Sequence, residues 1–575
     1  MGCFFQTPIP ASDVALEENV IDSFNALSSE TRRLEMLEAF YVAHVSPFEN
    51  NASFTGDNWN SLVDGDAVDK WFDIAFDDTR YCFYVTVFKR RFRVFLFSYL
   101  LRGFVIFIMW VIMFNMLLGK YFSPGGLYFD TFSTIIFAGL VGTLGAYVVR
   151  VPTIVGVIWA GILYNNVPYV GRLTGGINSD MRQFIGMLGL SIGIVRAGLS
   201  LNVIRFKQKF KHFICFSCIP ASVEMVVHGV CARYIFHYDS WKICFAEGFL
   251  VASIAPSVIV PIIISYQRKG YGVRDGPPMM ILCSIAIDTA LCIWGIQFLL
   301  ALEFKRMNTA LLIVLAPVQI LVGIIGGIIL GFVVFVVTFF ILFMEGERLP
   351  AVRNDRKLTI RHSVHIRYIS ILFMVLIAFC EISIGYRFNC IGGSAIAVVF
   401  TAGSFNYFCV RGGTRDHLQV KAEMAQSLTT LWDYIAMPAL FGLSGANVNV
   451  HQLFDRSFIG QAFALVFIGM GVRSLAAMGT PLMTRLGLNW RELIFCGVGW
   501  IGKGSVQGAL GSTCYNYAVE ARAKATTPEE YAWATQRMAD GIKMKNVAIL
   551  GILVACPICS IFLSRFTGKL LTPGT

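Results

Sequence analysis

Among the charged residues inside long apolar runs of the sequence, four stand out: Glu224, Asp288, Arg473 and Lys503. A charge in hydrocarbon costs about 2.5–3.5 kcal/mol on insertion scales, so each of these residues is a candidate for a functional role. The sequence shows no histidine cluster, nucleophile motif or paired carboxylates, and this argues against an intramembrane enzyme. The four charges therefore favour ion handling over covalent chemistry.

Asp288 lies midway along its apolar run, and no residue within four positions of it can neutralise its charge. Because burial disfavours an ionised carboxylate, Asp288 is expected to hold either a proton or a hard monovalent cation, Na⁺ or Li⁺. One site that holds one ion at a time is sufficient for antiport. Thr289 and Ser257 are expected to supply neutral oxygens to the ion. The alternative is that Asp288 hydrogen-bonds its own helix or a broken backbone and binds no ion.

Two apolar runs carry residues that interrupt helices. The segment 252–261 contains Pro256 and Pro261, and the segment 497–511 contains Gly502, Lys503 and Gly504. A broken helix persists at membrane depth only against protein or a wet cavity, so both segments are expected to line a functional site. Lys503 would offset the carbonyl ends of two half-helices or compete with a cation. The alternative is that these prolines and glycines serve close helix packing.

The apolar runs predict fourteen membrane spans, and the two interrupted runs are spans six and thirteen. Two repeats of seven spans must be inverted relative to each other, and matched broken helices in inverted repeats indicate an ion site near the membrane midplane. Glu224 in span five and Arg473 in span twelve are also seven spans apart, which predicts an inter-repeat charge pair. The pair is either a structural lock or a part of the transport cycle. The predicted spans are 94–118, 127–149, 151–168, 183–201, 213–235, 243–266, 279–302, 309–344, 366–384, 390–408, 427–446, 457–482, 492–515 and 544–565.

Composition supports this organisation. The 575 residues are 56% hydrophobic and 14% charged, whereas soluble proteins carry about 25% charged residues. The apolar runs are continuous rather than alternating, which excludes a transmembrane β-barrel. We therefore predict an all-α membrane protein of about 14 transmembrane helices in two inverted seven-helix repeats with crossed broken helices. Residues 1–88 form an acidic cytosolic tail, and residues 89–575 form the transmembrane domain, with repeat one at 94–302 and repeat two at 309–568.

Charge is distributed unevenly along the chain. Residues 1–88 carry a net charge of −11, and the remaining residues carry +22. Most basic residues fall in the loops around 89–93, 205–211, 268–274 and 348–361, which all lie on one side of a fourteen-span topology. The positive-inside rule places both termini in the cytosol, with the protein in the plasma membrane or an organelle membrane. The predicted outer loop 518–543 carries four basic residues and is an exception. Neither nucleic-acid binding nor a cofactor is predicted.

Seven short segments together resemble the animal NHA branch of the monovalent cation:proton antiporters. Each is weakly specific alone, but their order and spacing match from about residue 139 to residue 562. The resemblance implies an NhaA-like antiporter fold, a homodimer with a dimer domain and a six-helix transport core, and elevator-like alternating access. Glu224, Arg473 and Lys503 stand where that branch has Glu, Arg and Lys. The segments are 151–153, 160–163, 166–168, 195–199, 255–261, 270–273 and 503–509.

One position departs from that family. Its ion-site helix carries two adjacent aspartates, and an ungapped count from 270–273 places Asp288 first and Thr289 second. The second aspartate is the ion ligand in related antiporters, so three outcomes stay open: electroneutral exchange through Asp288, a changed specificity, or a transport-silent regulatory protein. A carrier of organic anions with the same fold is a further alternative. The favoured prediction is exchange of Na⁺ or Li⁺ for H⁺.

Overall fold

The computed structural model describes most of residues 119–571, with gaps at 150, 169, 202, 268–270, 272–275, 305–307, 349–355 and 413–414. Before residue 119 it describes three strands between 73 and 93 and helical turns between 104 and 117. The chain divides into two units, Met1–Gly119 and Lys120–Thr575. Most of the acidic segment 1–88, the loop 270–273 except Tyr271, and most of the basic loops 89–93 and 348–361 lie outside the described residues.

The first unit contains a small antiparallel sheet. Its strands are β1 Asp73–Asp77, β2 Cys82–Val87 and β3 Arg90–Arg93, in the order β1-β2-β3. Asp73 pairs with Thr86, and Tyr84 pairs with Arg93. The sequence analysis predicted no strands here. The β-branched and aromatic residues of β2 are typical of a strand.

The second unit is helical. A 3₁₀ turn at Gly119–Tyr121 precedes the first long helix, a second lies at Val170–Thr174, and a π-helical turn at Trp432–Ala436 joins α12 to α13. The α-helices are α1 Leu127–Val149, α2 Thr153–Asn166, α3 Ser179–Leu199, α4 Val203–Gln208, α5 Phe210–Phe236, α6 Trp241–Ala252, α7 Pro256–Gln267, α8 Pro277–Glu303, α9 Thr309–Arg348, α10 Arg356–Arg387, α11 Ile391–Gly412, α12 Arg415–Leu431, α13 Met437–Ala446, α14 Val450–Leu453, α15 Arg456–Met483, α16 Trp490–Gly499, α17 Ser505–Leu510, α18 Thr513–Lys524 and α19 Pro528–Leu570.

The helices are those of a membrane protein. Among the described residues, nine helical segments are long and apolar enough to cross a bilayer, and α2 is a shorter apolar helix. The helix that carries Asp288, α8, is the most enclosed, with 78% of its apolar window buried inside the protein. A helix surrounded by other helices rather than by lipid can carry a charge at membrane depth. The all-α membrane class predicted from the sequence is confirmed.

Most of the segment 518–543, which the sequence analysis predicted to be a loop, is helical. It comprises the end of α18 and the first four turns of α19. The helix α19 begins at Pro528, before the predicted span that starts at residue 544. Thr527 and Glu530 form a capping box there, with Pro528 at the first helical position. Arg537 is buried in ion pairs with Asp239 and Asp540.

Candidate ion-binding site

The first helix break lies at residues 253–255, between α6 and α7. Pro256 is the first residue of α7, where its missing N–H removes no helical hydrogen bond. Pro261 was predicted to belong to the crossing, but it lies inside α7. A proline at this position removes the N–H that would bond the carbonyl of Ser257, four residues earlier. The helix therefore restarts at Pro256, and Pro261 is not part of the break.

The second break lies at residues 500–504, between α16 and α17. The two breaks cross, since the Ala255 N–H donates to the Gly502 carbonyl at 3.0 Å. Gly504 is needed for this close approach, because a Cβ there would lie 2.7 Å from the Cβ of Ala255. The crossing therefore places backbone polar groups of both segments, together with Lys503, at one buried point.

Asp288 reaches this crossing from the middle of α8 and is fully buried. Its Oδ2 accepts a hydrogen bond from the Ile254 N–H in the first break, at 3.2 Å. Its Oδ1 accepts from Arg473 Nη2 at 2.6 Å. Asp288 is thus not the isolated acid that its sequence neighbours indicated. The cation that neutralises it comes from α15, which is remote in sequence.

Glu224, Asp288, Arg473 and Lys503 form one network, which we call the crossing cluster. Arg473 Nη1 donates to Glu224 Oε2 at 2.9 Å, and Lys503 Nζ lies 2.9 and 3.0 Å from the two Glu224 oxygens. All four side chains are at most 1% exposed. Two acids and two bases cancel formally, which makes the cluster tolerable at membrane depth.

Arg473 is the centre of the cluster. Its Nε donates to the carbonyl of Trp500 in the second break at 2.7 Å, while its two terminal nitrogens contact Glu224 and Asp288. A guanidinium presents five N–H donors in a planar fork, so it can hold two carboxylates and a carbonyl simultaneously. Glu224 and Arg473 are therefore in contact, as a pair between the two predicted repeats would be, but they share that contact with Asp288 and Lys503.

Neutral oxygens lie at and beside the first break, whose Ile254 N–H donates to Asp288. Thr289 Oγ1 donates to the Ile285 carbonyl at 2.8 Å and lies 3.4 Å from the Ile254 carbonyl. The buried hydroxyls of Ser253 and Ser257 have no hydrogen-bond partner among the described residues. An unsatisfied buried hydroxyl costs about 1–3 kcal/mol, so a ligand that hydrogen-bonds to or coordinates either hydroxyl would be favoured. Sequence analysis named Ser257 and Thr289 as accessory ligands but missed Ser253.

Gln507 is a second residue that the sequence analysis did not select. Its Nε2 donates to the carbonyl of Ser253 at 2.6 Å and to that of Leu250 at 2.9 Å, and its Oε1 accepts from the Gly504 N–H at 2.8 Å. One side chain from α17 thus satisfies carbonyls that the first break frees. The available signal was an amide within an apolar run, four residues after Lys503.

The arrangement can exchange charged partners. Asp288 has one oxygen on a backbone N–H and the other on Arg473, which also donates to Glu224 and to the Trp500 carbonyl. A hard cation could then bind Asp288 together with the neutral oxygens nearby, since Na⁺ and Li⁺ prefer oxygen ligands. The structure therefore brings together every residue of the predicted site except Pro261.

Comparison with known proteins gives a family match over most of the chain. A family model described as the transmembrane sodium/hydrogen exchanger matches residues 132–569, which include the whole crossing cluster. Human sodium/hydrogen exchanger 9B1 is 26% identical over 489 residues, covering 82% of this chain and 83% of its own length. Human sodium/hydrogen exchanger 9B2 is 26% identical over 476 residues, covering 81% and 79% respectively.

A solved structure shares the fold. The sodium proton antiporter MjNhaP1 from Methanocaldococcus jannaschii, solved at pH 8, aligns with a TM-score of 0.53 at 15% sequence identity. The alignment covers 76% of this chain and 96% of that protein. At this identity the likeness concerns the architecture alone.

Proposed function

We infer that this chain, which belongs to the sodium/hydrogen exchanger family, is a secondary transporter that exchanges Na⁺ or Li⁺ for H⁺ across a membrane by alternating access. The observation that carries this conclusion is the position of Asp288. Its fully buried carboxylate accepts a hydrogen bond from the backbone of the first break. Arg473 links the same carboxylate to a backbone carbonyl of the second break. The family is a transporter family, and none of the site's groups is arranged for bond cleavage.

We propose that Asp288 carries the cation and the proton in turn. With Asp288 ionised, the crossing cluster has no net formal charge. Adding one Na⁺ to that state gives the same net charge as adding one H⁺. One-for-one exchange through a single carboxylate is then electroneutral. This proposal accommodates Thr289, because a second aspartate would add a negative charge that nothing in the cluster balances.

Ser253, Ser257 and Thr289 are proposed as neutral ligands of the cation. The two serine hydroxyls are buried without partners, and Thr289 lies beside the Ile254 carbonyl. Cation entry would release Arg473 from Asp288, and the hydroxyls would replace part of the ion's hydration shell. Arg473 would thereby compete with the cation for Asp288 and keep the empty site charge-balanced.

The remaining proposals concern assembly and orientation. We propose a homodimer that moves its transport core against a dimer domain, which the family resemblance supports. Basic residues such as Arg205, Lys207 and Lys209 between α3 and α5 support cytosolic termini. Cross-linking in membranes and labelling of single introduced cysteines from either side test these two points.

Ion flux in proteoliposomes tests the function. Purified wild-type protein should produce a Na⁺- or Li⁺-driven pH change, without dependence on membrane potential. Asp288→Asn should reduce the rate at least about 100-fold, because the carboxylate that binds either ion is gone. Asp180→Asn, an exposed aspartate in the first turn of α3, is the matched control and should behave as wild type. Folded wild-type protein that moves no protons with Na⁺ or Li⁺ at any pH would overturn the proposal.

No observation supports the alternative that this chain is a transport-silent regulatory protein. Its basis was Thr289 in place of a second aspartate, and Asp288 alone already completes a charge-balanced site at the crossing. Uptake of labelled organic anions, measured on the same proteoliposomes, tests the anion-carrier alternative directly.

A further inference from the structure

A cavity of about 80 Å³ is lined by residues of α3, α13, α17 and α18 and of the adjoining loops. The first turn of α3, with the exposed Ser179, forms part of its rim. Because α3 leads to the basic residues at 205–209, this rim lies at the outer face in the proposed orientation. The cavity extends to Gly508, which follows Gln507 of the crossing. One water needs about 10–15 Å³ of such space, so a small ion with part of its hydration shell fits.

The wall of this cavity carries positive charge without an acid. Arg182 lines it from the first turn of α3, and none of the described residues that line it is acidic. The Arg182 Nη1 donates to Asn447 Oδ1 at 3.4 Å. Lys545 of α19 lies behind Asn447, is 8% exposed, and donates to the Asn447 carbonyl at 2.7 Å. Neither cation has a carboxylate partner among the described residues, so both rely on one neutral side chain and its backbone.

Two hydrogen-bond donors in the wall have no acceptor. The Arg182 Nε is buried and has no hydrogen-bond partner among the described residues. Asn447 Nδ2 donates to Ser512 Oγ at 3.1 Å, which leaves the Ser512 hydroxyl hydrogen without an acceptor in the described part of the chain. A guanidinium N–H and a hydroxyl are donors only in this arrangement, so they fit an acceptor that carries negative charge. An anion from solvent would satisfy both donors and would supply the charge that Arg182 and Lys545 lack.

We propose that this outer cavity binds a small monovalent inorganic anion, such as chloride, which Arg182 and Ser512 hold in the field of Lys545. The anion stays at the outer side of the crossing and takes no part in the exchange of Na⁺ for H⁺ at Asp288. Its binding does not depend on the proposed exchange function. One consequence does rest on that function: Arg182 and Lys545 repel a Na⁺ that approaches the crossing from this side, so a bound anion lowers the apparent KM for Na⁺.

Chloride NMR on the purified protein in detergent tests the binding. Wild-type protein should broaden the ³⁵Cl line in a saturable way, and bromide should reverse the broadening whereas the larger gluconate should not. Arg182→Gln should weaken chloride binding about tenfold or more, because a charged hydrogen-bond donor is lost. Arg456→Gln, at an exposed position at the start of α15, is the matched control and should bind as wild type does.

A second pair of variants leaves Arg182 in place. Gln183 also lines the cavity, and its Oε1 accepts from the Tyr386 hydroxyl at 3.2 Å, a contact that a glutamate of the same shape keeps. Gln183→Glu adds an acid to the wall, so it should compete with chloride and weaken its binding about tenfold. Gln452→Glu, at an exposed position in α14, is the matched control. This pair decides the question if Arg182→Gln does not fold.

Exchange in proteoliposomes tests the consequence for Na⁺. Replacing external chloride with gluconate should raise the apparent KM for Na⁺ about threefold in wild type and in both controls, because the wall charges are then unbalanced. The same replacement should leave the KM of Gln183→Glu unchanged, since its added acid balances the wall in either medium. A KM that is independent of the anion in wild type would overturn this consequence.

The NMR outcomes separate the anion site from the exchange function. Broadening that does not saturate, or that is equal in wild type and in both cavity variants, would overturn the site and leave the exchange function untouched. Saturable binding that Arg182→Gln and Gln183→Glu weaken and their controls keep supports the site. That result would still support the site if the wild-type protein exchanged no ions, in which case only the exchange function would be overturned.

Discussion

Two charged clusters in this protein use the same residue types in different surroundings. The crossing cluster of Glu224, Asp288, Arg473 and Lys503 is at most 1% exposed. The second, which we call the surface cluster, comprises Asp239, Lys242, Glu303, Arg537 and Asp540. There the Asp239 and Lys242 side chains are 63% and 47% exposed.

The difference teaches how burial changes the role of an ion pair. In the surface cluster water reaches the exposed Asp239 and Lys242 side chains. Arg537 is only 4% exposed but contacts three carboxylates, from Asp239, Glu303 and Asp540, so it keeps two of them when one is lost. In the crossing cluster no water-exposed group is available, and charges balance only among the four members. Removing one partner of a buried pair leaves an uncompensated charge, whereas exposed pairs contribute about 0–1 kcal/mol. An ion that enters the crossing cluster must therefore displace a protein cation.

The largest predicted effect comes from removing the shared carboxylate. Glu224→Gln removes the negative charge that pairs with Arg473 and Lys503 and replaces one accepting oxygen with an NH₂ group, so we expect destabilisation of about 3–5 kcal/mol. The matched change Glu303→Gln leaves Arg537 paired with Asp239 and Asp540 and should cost far less. Thermal unfolding of purified protein in detergent measures both. Equal losses in melting temperature for the two variants would contradict the distinction between the clusters.

The next largest effect concerns the backbone that holds the crossing cluster. Gly504→Ala places a Cβ 2.7 Å from the Cβ of Ala255 and must separate the two breaks. Overpacking of this kind costs about 1–3 kcal/mol, and a shift of this size should also reduce ion exchange at least about tenfold. Gly551→Ala in α19, where the added Cβ meets no atom within 4 Å, is the control. Exchange at the wild-type rate in Gly504→Ala would show that close approach of the breaks is not required.

The crossing could be predicted in part from the sequence. Apolar runs located the helices, and Pro256 with the glycines around Lys503 located both breaks, because these residues act locally on the backbone. The seven-span spacing also related Glu224 to Arg473. It did not reveal that Arg473 bridges to Asp288, since that contact joins positions 185 residues apart and depends on side-chain reach.

The start of α19, by contrast, could have been predicted from neighbouring residues but was not. Its signal was local, because Thr527-Pro528 followed by Glu530 is a capping box. It was missed because hydropathy identifies the membrane-spanning part of a helix and not a polar extension beyond it. That polar extension carries Arg537 and Asp540, so the surface cluster was the part of the molecule least accessible to sequence reasoning.

A smaller effect is predicted for a neutral group beside the crossing cluster. If Ser257 ligates the cation, Ser257→Ala should raise the apparent KM for Na⁺ about fivefold, which corresponds to about 1 kcal/mol for one lost ligand. Its melting temperature should stay unchanged or rise, because the buried hydroxyl has no partner to lose among the described residues. Ser284→Ala is the control: its hydroxyl bonds the Phe213 carbonyl, so stability should fall while KM stays constant. The reverse pattern would remove Ser257 from the site.

The smallest effect is predicted for the surface cluster. Hydrogen bonds from Arg537 hold the pKa of Asp239 below its usual value of 3.8. A lowered pKa stabilises the folded state at every pH above the ordinary value, and this stabilisation is lost as pH falls through the lower, folded-state pKa. The melting temperatures of wild type and Asp239→Asn should therefore differ by a constant amount from pH 5 to pH 8. The difference should shrink below about pH 4.

The stability difference between wild type and Asp239→Asn should be under about 1 kcal/mol, because the Asp239 side chain is largely exposed. Added salt should reduce the difference further. Exchange activity should be unaffected, since Arg537 keeps Asp540 at 2.6 Å. Thermal scans across pH and ionic strength measure the first effect, and proteoliposome flux measures the second. A loss as large as that of Glu224→Gln would mean that water does not replace partners at this end of the protein. The two clusters would then belong to one cooperative network.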